Sequence, residues 1–179
     1  FPNCIQPDVT KKIKQSIKKT NKTTKKNKPY EVSYFGNLGE GQDILGLLKN
    51  INENKEVLDI FDREKIRINI FGSGAQLKNI KKLIQDDKKN KNYKKKLSDY
   101  VHYGGLIYKN NIHNEYTKSD CLFLQLSKIK SLEMVIPTKV FEYSATNLPI
   151  IFGASGFTKD IIADIAGTIS YKQTDAKSF

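Results

Sequence analysis

Short apolar runs alternate with amphipathic segments from residue 30 to residue 171. The apolar runs predict strands at 32–35, 66–71, 100–103, 121–126, 150–152 and 168–171. Between them, apolar residues recur at helical spacing in 43–61, 75–85, 110–118, 138–146 and 158–165. Strands that alternate with helices form parallel βαβ units, because each crossover helix covers one face of the sheet. We therefore expect a three-layer α/β/α domain with a six-stranded, mostly parallel sheet.

Glycine follows four of the predicted strands. These residues are Gly36, Gly72 and Gly74, Gly104 and Gly105, and Gly153 and Gly156. Ligands of parallel sheets bind at the carboxyl ends of the strands, where glycine lets a ligand or a neighbouring backbone approach closely. One such glycine is ordinary for a turn, but four at one edge favour a ligand-binding edge of a Rossmann-like sheet. Gly72 and Gly74 lack the third glycine and the later acid of the dinucleotide fingerprint.

The segment that begins at Pro137 predicts a helix start suited to an anion. Proline is favoured there because its missing N–H would have no intrahelical partner, and the amides of Thr138 and Lys139 then point out of the helix end. Glu142 lies one turn further, on the same side as Lys139. A phosphorylated sugar or nucleotide fits an anion site with an acid beside it. The plainer alternative is a surface ion pair between Glu142 and Lys139.

Length and composition indicate one domain, or one domain plus a tail. The 179 residues include 38% hydrophobic side chains, and no run approaches the roughly 20 apolar residues of a membrane span. The first residues lack the basic and apolar regions of a signal peptide. Cys4 and Cys121 offer neither a disulfide framework nor metal-ligand spacing, and Cys121 lies in an apolar run typical of a buried core residue.

The net charge of +12 raises the possibility of a nucleic-acid partner. However, 29 of the 31 basic residues are lysine, which lacks the planar fork of arginine. Nine lysines fall in residues 11–28 with almost no apolar content, which favours a solvated segment. Two alternatives remain: a phosphate-contacting patch, and weak attraction to an anionic membrane surface.

Three other polar residues are weighed as catalytic groups. His102 lies within a predicted strand and His113 on a short polar helix, so both are expected to be structural or solvated. Asp120 opens an apolar strand, a position typical of a turn or cap residue.

Several segments together resemble the C-terminal, donor-binding half of a retaining GT-B glycosyltransferase of the bacterial cell-surface polysaccharide type. The resembling segments are 1–5, 34–42, 68–74, 103–106 with Tyr116, Ser119 and Asp120, 137–143 and 149–151. Segment 1–5 is similar to the interdomain linker of these enzymes. The predicted domains are accordingly a linker with the lysine-rich segment at 1–29 and a nucleotide-sugar-binding domain at 30–179.

The resemblance implies a set of donor-binding residues and no metal. The set comprises Gly36, Asn37, Gly72, Gly74, Leu106, Ile107, Thr138, Lys139 and Glu142. Glu142 would bind the donor ribose, the amides of Thr138 and Lys139 the diphosphate, and the segment at Leu106 and Ile107 the base. Lys139 would supply the positive charge, because Asn37 stands where an arginine is common. The first glutamate of the family pattern falls at Met134, one residue after Glu133.

The implied parent enzyme transfers a sugar from a nucleotide diphosphate sugar, with UDP expected, to a capsule or lipopolysaccharide precursor. The donor is a substrate and no cofactor is expected; the catalytic residues are unknown and are expected in an N-terminal acceptor-binding half that this chain lacks. The expected location is the cytoplasm. Weak peripheral contact with the inner face of the membrane is a second expectation. The alternatives are half of a GT-B nucleotide-sugar epimerase and a basic nucleic-acid-binding module. The glycosyltransferase interpretation itself expects no nucleic-acid partner.

Overall fold

The computed structural model describes residues 28–90, 94–108 and 111–179. Its strands are β1 (Tyr30–Asn37), β2 (Ile66–Ser73), β3 (Val101–Gly105), β4 (Cys121–Gln125), β5 (Ile150–Gly153) and β6 (Thr168–Tyr171). Its α-helices are α1 (Ile44–Glu53), α2 (Lys55–Arg63), α3 (Leu77–Lys89), α4 (Leu97–Tyr100), α5 (Ile112–Tyr116), α6 (Thr138–Ser144) and α7 (Gly156–Ala163). A 3₁₀ helix covers Lys130–Met134. Most of the predicted lysine-rich segment, and Cys4, lie outside the described residues.

The six strands form one parallel sheet in the order β3-β2-β1-β4-β5-β6. This is the strand order of dinucleotide-binding Rossmann folds, in which the chain reverses its direction of growth beside the first strand. β1 pairs with β2 from Tyr30 to Asn37, but it pairs with β4 only at Val32 and Ser33. The two central strands are therefore joined near their starts, and their carboxyl ends border the switch point.

Two apolar cores lie on opposite faces of the sheet. Along β1, Val32 and Tyr34 enter one core, whereas Phe35 enters the other. Helices α1 to α4 cover the first core, and α5, α6 and α7 cover the second. The strands β4 and β5 are nearly continuous apolar runs, because both of their faces are buried. The six-stranded, three-layer Rossmann-like prediction is confirmed.

Three predicted elements differ from the structure in instructive ways. The single helix expected at 43–61 is two helices, because Asn54 takes an extended conformation and its side chain accepts a hydrogen bond from the amide of Val57. The strand expected from Tyr100 begins at Val101, since Tyr100 ends α4. The polar connection expected at 88–96 starts later, since α3 continues to Lys89.

Buried Gln125, at the end of β4, ties three segments of the carboxyl edge together. Its Nε2 donates to the carbonyl oxygens of Gln42 and Asp43, at 2.9 and 2.7 Å. Its Oε1 accepts from the hydroxyl of Tyr171 at 2.9 Å and from the amide of Thr174 at 2.8 Å. Each of its two polar atoms therefore makes two hydrogen bonds, and these bonds fix the loop after β1 against the sheet.

Replacing Gln125 with leucine should destabilise the fold. The substitution keeps the volume but leaves buried donors and acceptors without partners, each costing about 1–3 kcal/mol. We expect the free energy of unfolding, measured in urea, to fall by at least that amount. Gln85→Leu is the matched control, because Gln85 is exposed on α3. Equal unfolding midpoints for the two variants would contradict the anchoring role of Gln125.

Candidate functional site

An open cavity of about 290 Å³ lies at the carboxyl ends of β1 and β2. Its lining residues are Phe35, Gly36, Asn37, Phe71, Gly72, Ser73, Leu106, Ile107, Ile112 and Lys139. Six of the nine residues predicted to bind a donor therefore line one space. Gly74, Thr138 and Glu142 are not in its lining. The helix α6 brings Lys139 to a cavity formed mostly by the ends of strands.

The backbone itself requires glycine at positions 72 and 74, independently of any ligand. Both have left-handed φ angles, 134° and 156°. A Cβ on Gly72 would lie 1.8 Å from the carbonyl oxygen of Gly36, and a Cβ on Gly74 would lie 2.6 Å from that of Leu38. The close approach at these two positions is between neighbouring backbones.

Lys139, Glu142 and Tyr116 form a hydrogen-bonded triad beside the cavity. The Nζ of Lys139 donates to Oε2 of Glu142 at 2.8 Å and to the Tyr116 hydroxyl at 3.0 Å. That hydroxyl donates to the same Oε2 at 2.7 Å. The i,i+3 pair expected from the sequence is thus present, but it is not a surface pair: its side chains are 28% and 25% exposed. Sequence reasoning noted Tyr116 only as part of a resembling segment and missed its contact with the acid.

The triad keeps Glu142 ionised. Burial by itself raises the pKa of the Glu142 carboxyl, but hydrogen bonds from Lys139 and Tyr116 and the electrostatic effects of Lys139 and His113 outweigh burial. The net result is a pKa below the ordinary value of 4.5. Burial likewise raises the pKa of the Tyr116 hydroxyl, so it remains a proton donor. Glu142 is therefore an acceptor-only carboxylate at neutral pH.

Tyr143 holds α6 against the carboxyl half of β1. Its buried hydroxyl accepts from the Phe35 amide at 3.0 Å and donates to the Phe35 carbonyl at 3.2 Å. These two backbone groups lie beyond the residues at which β1 pairs with β4. A side-chain hydroxyl thus replaces a strand partner, and it positions Lys139 and Glu142 relative to the wall of the cavity.

The start of α1, where Rossmann folds often hold phosphate, is already capped. The carboxylate of Asp43 accepts from the amide of Gly46 at 3.1 Å. An anion placed there would meet that carboxylate. By contrast, Pro137 forms no side-chain cap at the start of α6. Asn37 also differs from a free phosphate ligand, since its amide group donates to Oε1 of Gln42 at 3.0 Å.

The remaining candidate side chains lie away from the cavity lining. Glu133, on the 3₁₀ helix, accepts from the Ser155 hydroxyl at 3.4 Å, and Met134 is exposed. His102 is exposed on β3, and His113 is buried with its ring 5.9 Å from that of Tyr116. The carboxylate of Asp120 accepts a hydrogen bond from the Glu31 amide at the opposite end of the sheet. Its role there is to bind the backbone at the start of β1.

The described residues contain no group of three or more His, Cys, Asp or Glu side chains placed to hold a metal ion. None of the helices in the described ranges has the length and apolar content needed to cross a bilayer. Cys121 is buried, as its apolar run predicted.

The sequence profile of the family described as "Glycosyl transferases group 1" matches residues 15–179. The chain belongs to the glycosyl transferases group 1 family. A comparison with curated protein sequences found no significant match.

Solved glycosyltransferase structures share the fold of this group 1 domain. Anabaena Alr3699/HepE, solved with UDP, superposes with a TM-score of 0.60 at 11% identity, over 98% of this chain and 42% of that one. The C-terminal domain of a group 1 protein (LpcC) from Francisella tularensis gives 0.58 at 14%, over 97% and 79%. The pneumococcal O-GlcNAc transferase GtfA, solved with UDP and GlcNAc, gives 0.53 at 15%, over 74% and 22%. The chain thus spans about two fifths of the length of HepE.

The ionised Glu142 of this group 1 domain should make stability depend on pH. Because the pKa of Glu142 is lowered in the folded state, its stabilising contribution is present above pH 4.5. This contribution is lost as the pH falls through the lowered pKa. We expect Glu142→Gln to reduce the free energy of unfolding near neutral pH, and the difference from the parent to shrink below 4.5. Chemical denaturation at several pH values measures this difference.

The control is Glu53→Gln, which alters an exposed acid at the end of α1. If the Glu142→Gln difference stayed constant through the acidic range, or followed that of Glu53→Gln, the triad would not stabilise the carboxylate.

Proposed function

We propose that this chain is the donor-binding half of a retaining GT-B glycosyltransferase and that its cavity binds a UDP-sugar. The observation that carries the proposal is the meeting of Gly36, Leu106 and Ile107 with Lys139 in one cavity at the switch point of the sheet. A cavity with apolar walls and a cation at one side suits a base joined to a diphosphate. The UDP bound by HepE and GtfA supports uridine as the base.

Each part of the donor has a proposed partner. The base lies against the segment that contains Leu106 and Ile107, and Leu106 is 62% exposed at the cavity rim. The diphosphate lies near Gly36 and is bound by Lys139 and the first amides of α6. The ribose hydroxyls donate to Glu142, whose ionised carboxylate can accept from them. Gly72 and Gly74 allow the close backbone packing at this edge, and the proposal assigns them no direct contact with the donor.

The parent enzyme would transfer the sugar with retention to a cell-surface glycan precursor such as capsule or lipopolysaccharide. Helix amides and Lys139 would stabilise the leaving diphosphate without a metal. The acceptor and the catalytic side chains would come from an N-terminal half, which agrees with the fraction of HepE that this chain spans. We place the enzyme in the cytoplasm, where weak contact between residues 11–28 and an anionic membrane remains a prediction.

Neither alternative function gains an observation at this cavity. A nucleotide-sugar epimerase half would require a histidine and acids at the cavity, but its lining includes neither His102 nor His113. A nucleic-acid-binding module would need a basic groove that contacts phosphates in series, whereas the cavity presents a single lysine.

UDP or a UDP-sugar should stabilise the chain. A ligand at 100 times its dissociation constant adds about 2.7 kcal/mol to the free energy of unfolding, because it binds only the folded state. We expect a thermal-shift panel of UDP, GDP, ADP and their sugars to give the largest rise in Tm for the uridine compounds. Unchanged melting with every nucleotide at millimolar concentration would contradict donor binding by this chain.

Lys139→Ala should weaken UDP binding far more than uridine binding. Uridine lacks the diphosphate, so it reports only the base and ribose contacts, and any general effect on the fold cancels in the ratio. Calorimetric titration at low salt measures both affinities where the charge contribution is largest.

The matched control is Lys118→Ala, because Lys118 also pairs with a glutamate three residues away but is 66% exposed. It should leave both affinities unchanged. Equal losses for uridine and UDP in Lys139→Ala would remove the phosphate role of Lys139 and leave the diphosphate to backbone amides or to the N-terminal half.

A further inference from the structure

The buried hydroxyl of Tyr116 is shared by the two charged side chains of α6. It donates to Oε2 of Glu142 and accepts from Nζ of Lys139, with distances of 2.7 and 3.0 Å. Tyr116 ends α5, more than twenty residues before α6, so the contact is tertiary. This hydroxyl is the point at which α5 orients the acid and the lysine.

The ring of Tyr116 is held on three sides. It makes edge contacts with Phe35 at 4.8 Å, with Tyr143 at 5.5 Å and with His113 at 5.9 Å between ring centroids. Phe35 lines the cavity, and Tyr143 is bonded to the backbone of Phe35. The position of the Tyr116 hydroxyl is therefore set by the same wall that forms the cavity.

Both hydrogen bonds to Glu142 end on one carboxylate oxygen. Lys139 and Tyr116 each donate to Oε2, and among the described residues no bond to Oε1 is formed. A glutamate side chain has several rotatable bonds, so fixing one oxygen at two points restricts where the other can lie. Within the described part of the chain, Oε1 therefore keeps its capacity to accept a hydrogen bond.

We propose that Tyr116 is a positioning residue for donor binding, which fixes Oε2 of Glu142 so that Oε1 receives a ribose hydroxyl. The inference rests on the proposed function, because it assigns Glu142 to the ribose. Tyr116 itself touches no part of the donor. Its effect is preorganisation: the carboxylate is ordered before the ligand arrives, so binding does not have to order it.

A tyrosine that only fills the core would behave differently. Its ring would stabilise the fold, and its hydroxyl would have no effect on which nucleotide binds. Tyr116→Phe keeps the ring and removes only the oxygen. A positioning role therefore predicts a change confined to ligands that carry the ribose hydroxyls.

The binding test compares UDP with 2′,3′-dideoxy-UDP on the 179-residue chain. We expect Tyr116→Phe to weaken UDP binding about tenfold, the order expected for a hydrogen bond that involves a charged group, and to leave dideoxy-UDP binding unchanged. Tyr171→Phe is the matched control, because it removes another buried hydroxyl, which donates to Gln125. It should change neither affinity.

A second measurement does not depend on nucleotide binding. The carboxyl carbon of Glu142, labelled with ¹³C and assigned with Glu142→Gln, reports its titration by NMR. The groups that face this carboxyl are Lys139, Tyr116, His113 and Tyr143. Removing the Tyr116 hydroxyl should raise the pKa of Glu142 toward its ordinary value, whereas Tyr171→Phe should not.

Each outcome decides the proposal. Selective loss of UDP affinity together with a raised Glu142 pKa supports it. Equal losses for UDP and dideoxy-UDP, or an unchanged carboxyl titration, overturn it. Should the parent bind no uridine nucleotide, the proposed function fails, and the carboxyl titration still tests whether Tyr116 holds Glu142. Should Tyr116→Phe not fold, the chemical shift of Tyr116 Cζ in the parent is measured against pH instead. It must change with the same midpoint as the Glu142 carboxyl, and a chemical shift that does not change there overturns the proposal.

Discussion

The carboxyl half of β1 depends on a hydrogen bond that no strand supplies. β1 pairs with β4 only near its start, and the amide and carbonyl of Phe35 are instead bonded by the hydroxyl of Tyr143. Buried backbone groups must be paired, so this hydroxyl allows the two central strands to separate without leaving orphaned polar groups. The cavity lies at the carboxyl end of β1, beyond the residues at which β4 pairs with it. Because Tyr143 belongs to α6, the same contact places Lys139 at the cavity and Glu142 beside Tyr116.

Charge at the site is balanced before any ligand binds. Lys139 is paired with Glu142, so the cavity presents a partly neutralised cation. An anionic ligand would attract Lys139, while Tyr116 would keep its own bond to the carboxylate. Lys139 would then be paired with the anionic ligand and Glu142 would keep the hydrogen bond from Tyr116, so neither charge would lack a polar partner. This arrangement also separates the two proposed tasks, with the lysine directed to phosphate and the carboxylate to hydroxyls.

The fold persists at 11 to 15% identity to solved glycosyltransferases because few sequence features define it. Alternating apolar strands and amphipathic helices determine the layers, and glycine at 72 and 74 permits the close backbone contacts at the edge. Local chemistry has more freedom. Asn37 is bonded to Gln42 and Asp43 caps the start of α1, whereas Lys139 on α6 is the basic residue in the lining of this cavity.

The sequence by itself determined the six strands and their parallel pairing, because these follow from the period of apolar residues. Glycine at the strand ends predicted the edge at which ligands would bind. The sequence also indicated Lys139 and Glu142 as neighbours, because residues three apart on a helix share a face. The break at Asn54 depends on a local cap between residues three apart. Tertiary structure alone decided the anchoring of Gln125 and the bonds from Tyr116 to α6. These bonds join residues between 23 and 83 positions apart, and no periodic pattern records which buried hydroxyl meets which carboxylate. That choice is made by packing, because the rings of Tyr116 and Phe35 and the helix α6 contact one another beside β1.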